Sequence, residues 1–153
     1  MTIADILDPH RVAVDLEFAS KKAVLEALAG LLAGADPRLK SGEIFDSLIA
    51  RERLGTTGLG AGIAIPHGRI SIDGVASGAF VRTFKPIDFD AVDNAPVDLF
   101  FALCVPKDAN QGHLDLLAAL AARFADNDFL AALRTASAEQ AYEMLVSDSG
   151  GSG

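Results

Sequence analysis

Cysteine, histidine and basic residues are all scarce in this 153-residue chain, and each scarcity removes a class of function. The lone Cys104 cannot form an internal disulfide, which fits a reducing compartment. That cysteine and three histidines at wide spacings (His10, His67 and His113) give a structural zinc site little to work with, so no metal is expected. Lysine and arginine total 13 against 21 aspartates and glutamates, and a net charge of −8 argues against nucleic acid, whose binding depends on basic contacts to phosphate. The composition is 50% apolar, yet no uninterrupted apolar run approaches the ~20 residues of a membrane span. The opening MTIADILDPHR has early acids and no basic segment, so it does not read as a signal peptide. The expectation is a soluble, cytoplasmic protein without membrane insertion.

Several catalytic signatures are missing as well. The run from Gly55 to Gly62 (GTTGLGAG) lacks the Lys-Ser/Thr of a nucleotide P-loop, and Pro66 argues against a helix opening behind it. Gly58, Gly60 and Gly62 do not have the G-x-G-x-x-G spacing of a dinucleotide fold. No Gly-x-Ser-x-Gly elbow marks a hydrolase. No internal repeat is evident.

What is present is an interleaved series of helices and strands. Val12 to Leu16 (VAVDL) alternates as a short strand does. From Ser20 to Leu32, Val24, Leu25, Leu28, Leu31 and Leu32 recur at helical spacing behind a capping serine. A second helix is expected from about Gly42 to Arg53, with Ile44, Phe45, Leu48 and Ile49 on its apolar side. Strands are expected at Ala76 to Phe84 and Val97 to Val105, the latter apolar enough to be central. Lys85 to Pro96, with two prolines and several acids, reads as a loop. Helices are expected at Gln111 to Ala125, Phe129 to Arg134 and after Ser137, where Ser137 and Gln140 have capping-box spacing. Residues 1–147 read as a single domain with a helix-covered sheet, and 148–153 as a flexible tail.

The stretch from Arg51 to Arg69, RERLGTTGLGAGIAIPHGR, concentrates the chemistry. It presents His67 on an X-Pro-His-Gly turn after a glycine-rich loop, where the amides near Gly58, Gly60 and Gly62 could converge on an anion. Pro66 stiffens the approach by fixing its own φ and extending Ile65. A neutral imidazole is a nucleophile near pH 7 without loss of a proton from a weak acid. Arg51, at the border of its helix's apolar stripe, is either a surface residue or a planar clamp for phosphoryl oxygens. Glu52 falls within that stripe; a buried carboxylate needs partners, and Thr56 and Thr57 are close, so it reads as a structural clamp. His113, in the first turn of its helix, is either a histidine of local packing or a neutral donor to an anion. His10 reads as a surface residue.

The ordered set Arg51-Glu52, Thr56-Thr57-Gly58-Leu59-Gly60, Gly62-Ile63-Ala64-Ile65-Pro66-His67-Gly68 and His113-Leu114 resembles a known family. This is enzyme IIA of the bacterial phosphoenolpyruvate-dependent phosphotransferase system, in its fructose, mannitol and nitrogen-regulatory branch. Ala61 and Arg69 depart from the usual polar residue and lysine. The resemblance implies a three-layer α/β/α sandwich around a mixed sheet, and a phosphotransferase component without a cofactor. It also implies His67 as phosphoacceptor through Nε2, assisted by His113 and Arg51. Thr57, Gly58, Gly60, Gly62 and Gly68 would surround the phosphoryl group, with Glu52 and Pro66 structural. The implied donor is an HPr-type phosphocarrier protein.

The absence of an evident fused IIB or membrane module favours the nitrogen-regulatory type, acting on regulatory protein targets. A freestanding fructose- or mannitol-type IIA passing phosphate to a IIB domain is an alternative, as is a IIA-like regulatory domain that never transfers phosphate. An apolar docking rim of Leu59, Ala61 and Ile63 around a recessed His67 is also expected.

Overall fold

The computed structural model describes residues 1–147; the expected tail at 148–153 lies outside them. In chain order the elements are α1 (Ile3–Ile6), a 3-10 turn (Pro9–Arg11), β1 (Val12–Leu16), α2 (Lys21–Ala33) and α3 (Ser41–Leu54). Then follow β2 (Gly58–Gly60), β3 (Ile63–Ala64), β4 (His67–Arg69), β5 (Ser77–Ile87) and β6 (Val97–Val105). The chain continues through α4 (Gln111–Arg123), α5 (Asn127–Thr135) and α6 (Ala138–Val146).

The sheet is mixed, in the order β1-β5-β6-β3-β2, with β4 also on β6. Strand β6 pairs antiparallel with β5 on one side and parallel with β3 and β4 on the other. A strand covered on both faces reads as a continuous apolar run, which is why VDLFFALCV carries so little alternation. Its successive side chains still divide between two cores. Phe100, Ala102 and Cys104 face α2 and α3 with Val24, Leu28, Ile44 and Leu48. Leu99, Phe101 and Leu103 join Leu116, Leu120, Phe124, Leu130 and Leu145 on the opposite face. The result is an α/β/α sandwich.

Local chemistry stops and starts the helices. Ser20 Oγ accepts the Ala23 N–H at 3.1 Å, and Asp126 accepts from Asp128 and Phe129. Ser137 and Gln140 form the reciprocal capping box, at 3.1 and 2.9 Å.

Three parts of the structure differ from the sequence expectation. Strand β5 continues to Ile87, through residues expected as loop. Between the pairs Arg82↔Leu99 and Ile87↔Val97 the register slips, so Pro86 sits where the ladder needs no amide. The glycine-rich segment is not a loop but a hairpin of β2 and β3, closed by Ala61 and Gly62. Their φ angles of 57° and 81° are the two positive values of a type I′ turn. His67, finally, lies on a strand rather than a turn. Ile63↔Leu99, Ala64↔Phe100, His67↔Leu103 and Gly68↔Cys104 share one register, so β3 and β4 are one line interrupted at Ile65-Pro66. Proline has no N–H for the ladder, but its carbonyl still accepts from Leu103 at 2.9 Å.

Candidate functional site

His67 is the half-buried first residue of β4, held beside the central strand. Its Nδ1 lies 2.8 Å from the Ile65 carbonyl oxygen. A carbonyl can only accept, so Nδ1 carries the hydrogen and the neutral ring keeps its lone pair on Nε2. Burial lowers the pKa of His67 from 6.5; the Ile65 bond opposes this, the Arg51 charge lowers it further and Glu52 opposes. The ring is therefore neutral near pH 7, with one nitrogen open for attack. Cys104 offers no rival nucleophile, because burial pushes its thiol up to about 11.

Helix α3 reaches His67 through a close approach to β4. A Cβ on Gly68 would stand 3.1 Å from the backbone carbonyl carbon of Ser47 and against its hydroxyl, so only glycine lets the helix lie so near. Ser47 Oγ donates to the Arg69 carbonyl at 2.7 Å across this contact. Arg51 follows Ser47 by four residues, on the same side of the helix. Its Nη1 donates to the Gly55 carbonyl at 2.8 Å, and its charge reaches the His67 ring.

Glu52 turns inward, and its side chain is only 4% exposed. Its carboxylate accepts the Thr57 N–H at 3.1 Å and the Thr57 hydroxyl, and pairs with Lys21 Nζ at 3.0 Å. Thr57 is buried, and its carbonyl accepts the Ile65 N–H at 3.0 Å. Lys21 is a site-region residue that the motif did not contain; its only trace in the sequence is its place behind the Ser20 cap.

The glycines divide by role. Gly58 packs on Ala91, whose Cβ would lie 2.9 Å from an added Cβ, and its amide donates to Thr56 Oγ1 at 3.0 Å. The Ala61 amide is taken by Asp93 at 3.0 Å. Gly62 accepts from the Asp98 and Leu99 amides, while Arg134 bridges Asp98 and the Ala61 carbonyl. Gly58, Gly60 and Gly62 thus build a hairpin in which the Gly58 and Ala61 amides and the Gly62 carbonyl are already taken. Ile63 is 1% exposed and belongs to the core, so it cannot form a docking rim. It also pairs four positions before His67 along the same line, about 13 Å away at the usual strand rise. Leu59 and Ala61 of the expected rim are exposed, and so, at 85%, is Leu54 at the end of the Arg51 helix.

His113 is buried in the first turn of α4. Its Nδ1 faces the Asn110 N–H at 3.1 Å in a capping box and the Asn110 side-chain oxygen at 3.2 Å. Among the described residues no hydrogen bond joins His113 to His67. His10 lies exposed on Asp8, away from this set.

Residues 5–148 match the family model for the phosphoenolpyruvate-dependent sugar phosphotransferase system, EIIA 2. The chain belongs to this IIA family. A nitrogen regulatory protein of Pseudomonas aeruginosa is 45% identical over 145 residues, covering 94% of each chain. The crystal structure of nitrogen regulatory protein IIA-Ntr from Neisseria meningitidis superposes with a TM-score of 0.85 at 41% identity, covering 94% of this chain and 98% of that one. A fructose-specific EIIA component of Haloferax volcanii is 32% identical over 130 residues, 85% of this chain and 84% of its own. The mixed, helix-covered sheet is thus a IIA fold. No helix among the described residues is long and apolar enough to cross a membrane.

Proposed function

We propose that this IIA protein accepts a phosphoryl group on Nε2 of His67 from an HPr-type phosphohistidine protein and acts as a nitrogen-regulatory IIA. The single observation that carries the reading is the Nδ1–H bond to the Ile65 carbonyl, which leaves Nε2 as the nucleophile. In the transfer, the Nε2 lone pair forms the new N–P bond while the donor's N–P bond breaks and its electron pair returns to the donor imidazole. No proton needs to leave His67. The positive ring produced on phosphorylation keeps its Nδ1–H on Ile65. Phosphoryl transfer needs chiefly position and charge stabilisation. Arg51 supplies a planar cation, exchanging its Gly55 contact for the incoming oxygens.

Regulation then follows from charge: a phosphoryl group adds about −1.5 to −2 at one surface while the sandwich behind stays packed. The regulatory assignment is supported by the nitrogen regulatory names of the relatives at about 40–45% identity. Protein targets, rather than a IIB domain, are then the partners of the loaded and unloaded states, and the setting is cytoplasmic.

The experiment is incubation with phosphoenolpyruvate, enzyme I and an HPr-type protein, followed by intact mass and acid-lability measurements. One acid-labile phosphoryl group is expected, lost in His67→Ala. Labelling that persists on His113 or His10 in that variant rejects the assignment. No labelling of the wild-type chain would favour a binding domain that never transfers phosphate.

A further inference from the structure

We infer that Lys21 is a positioning residue for His67, acting through a relay of Glu52, Thr57 and Ile65. This rests on the reading of His67 as the phosphoacceptor. The relay is a continuous series of polar contacts across four elements of sequence. Lys21 Nζ meets Glu52 Oε2 at 3.0 Å, and Glu52 holds both the N–H and the hydroxyl of Thr57. The Thr57 carbonyl takes the Ile65 N–H at 3.0 Å, and the Ile65 carbonyl takes Nδ1–H of His67 at 2.8 Å.

Each contact in the series constrains the next. The Ile65 peptide plane sets where its carbonyl points, and that direction selects the His67 tautomer and ring angle. That carbonyl belongs to the Ile65–Pro66 peptide; Thr57 holds the preceding Ala64–Ile65 peptide through the Ile65 N–H, and Pro66 keeps Ile65 extended, so the two together orient it. Thr57 is held by a carboxylate whose side chain is 4% exposed. A buried carboxylate needs partners, and a cation beside it holds it in place. Lys21 is that cation. Its ammonium is placed by three further contacts: the Phe89 carbonyl at 3.4 Å, Asp90 at 3.7 Å and the Phe89 ring face at 4.4 Å. Phe89 in turn packs edge-on against Phe100 in the core, with ring centroids 5.3 Å apart. The lysine is thus fixed from the α2 side and from the loop after β5, and through it both are coupled to His67.

Without Lys21, Glu52 would retain only the Thr57 donors among the described residues, and relief by turning toward water would release Thr57 and then Ile65. The Nδ1–H tautomer would lose its acceptor, and part of the population would carry the hydrogen on Nε2, where it blocks attack.

The test compares Lys21→Met, Lys21→Arg and the neighbouring exposed Lys22→Met in the full chain. Two readouts are taken: ring ¹⁵N chemical shifts of unphosphorylated His67, and phosphorylation kinetics with a phosphorylated HPr-type donor. Lys21→Met should show a growing Nε2–H population and a kcat lowered about tenfold with KM held, the low side of losing a partner that orients a functional histidine through other groups. Lys21→Arg should restore both, and Lys22→Met should match the wild type. A folded Lys21→Met chain with wild-type ring shifts and kcat overturns the inference. If Lys21→Met does not fold, Lys21→Gln is read instead, and wild-type shifts there overturn it equally. The ring shifts need no phosphate donor, so failure of the wild type to accept phosphate would sink the phosphoacceptor reading separately.

Discussion

The Ile65 carbonyl oxygen and the His67 Nδ1 lie 2.8 Å apart, two residues from each other across a proline. That bond decides which face of the imidazole is chemically open. It exists because Pro66 fixes its own φ and keeps Ile65 extended, while Thr57 anchors the Ile65 amide at 3.0 Å. A ring free to rotate would present either nitrogen; this one presents Nε2.

The pH behaviour of His67 follows from its surroundings. Burial is the leading influence and lowers its pKa below 6.5, so the folded state disfavours the charged ring relative to the unfolded chain. The sign is then set: no penalty applies above the unfolded value, and stability is lost as pH falls from 6.5 through the folded pKa. His67 resonances should titrate with a midpoint below 6.5, and the stability of wild type relative to His67→Ala should decline over the same window. A midpoint at or above that value contradicts the account.

His113 should reveal two separable roles. Its Nδ1 satisfies the Asn110 amide at the start of α4, so His113→Ala should lower stability by about 1 kcal/mol, as cap removals do. If its ring also assists the phosphoryl group, the same variant should slow phosphorylation about 100-fold. Denaturant unfolding and transfer kinetics on one preparation separate these effects. A stability loss with an unchanged rate assigns His113 to capping alone.

Gly68→Ala tests how closely α3 must lie against β4. The new methyl would press on the Ser47 hydroxyl and stand 3.0 Å from its Cβ, displacing the helix that carries Arg51 and Glu52. We expect a loss of about 1–3 kcal/mol, the usual range for overpacking, together with slower phosphorylation. Urea unfolding and transfer kinetics equal to wild type would show that the contact relaxes without consequence.

Leu54, rather than the hairpin residues, should govern docking of the donor. It ends α3, next to the Gly55 carbonyl that Arg51 holds, and is 85% exposed. An apolar side chain so presented suits brief protein contact. Leu54→Asp should raise the KM for the HPr-type donor several-fold with little change in kcat or folding. The same substitution at Ala61, on the hairpin turn, should leave KM near wild type. The reverse ranking would return docking to the hairpin.

Much of this protein is decided by local sequence. The apolar run of β6, the periodic stripes of α2 and α3 and the caps at Ser20 and Ser137 each act within a few residues, and each stands where the pattern places it. The IIA family too is legible in the order of residues from Arg51 to Gly68. Tertiary structure decided what depends on partners distant in the chain. Nothing local says that Ala61 and Gly62 close a hairpin whose groups are taken by Asp93, Asp98 and Leu99. Nor could spacing reveal that His67 extends a strand along Leu103, because β4 exists only by pairing with β6. Lys21 lies 31 positions before Glu52 in sequence yet 3.0 Å from it in space, and only packing brings them together. Local sequence determines backbone preference and pattern; the neighbours that saturate each polar group come from the folded chain.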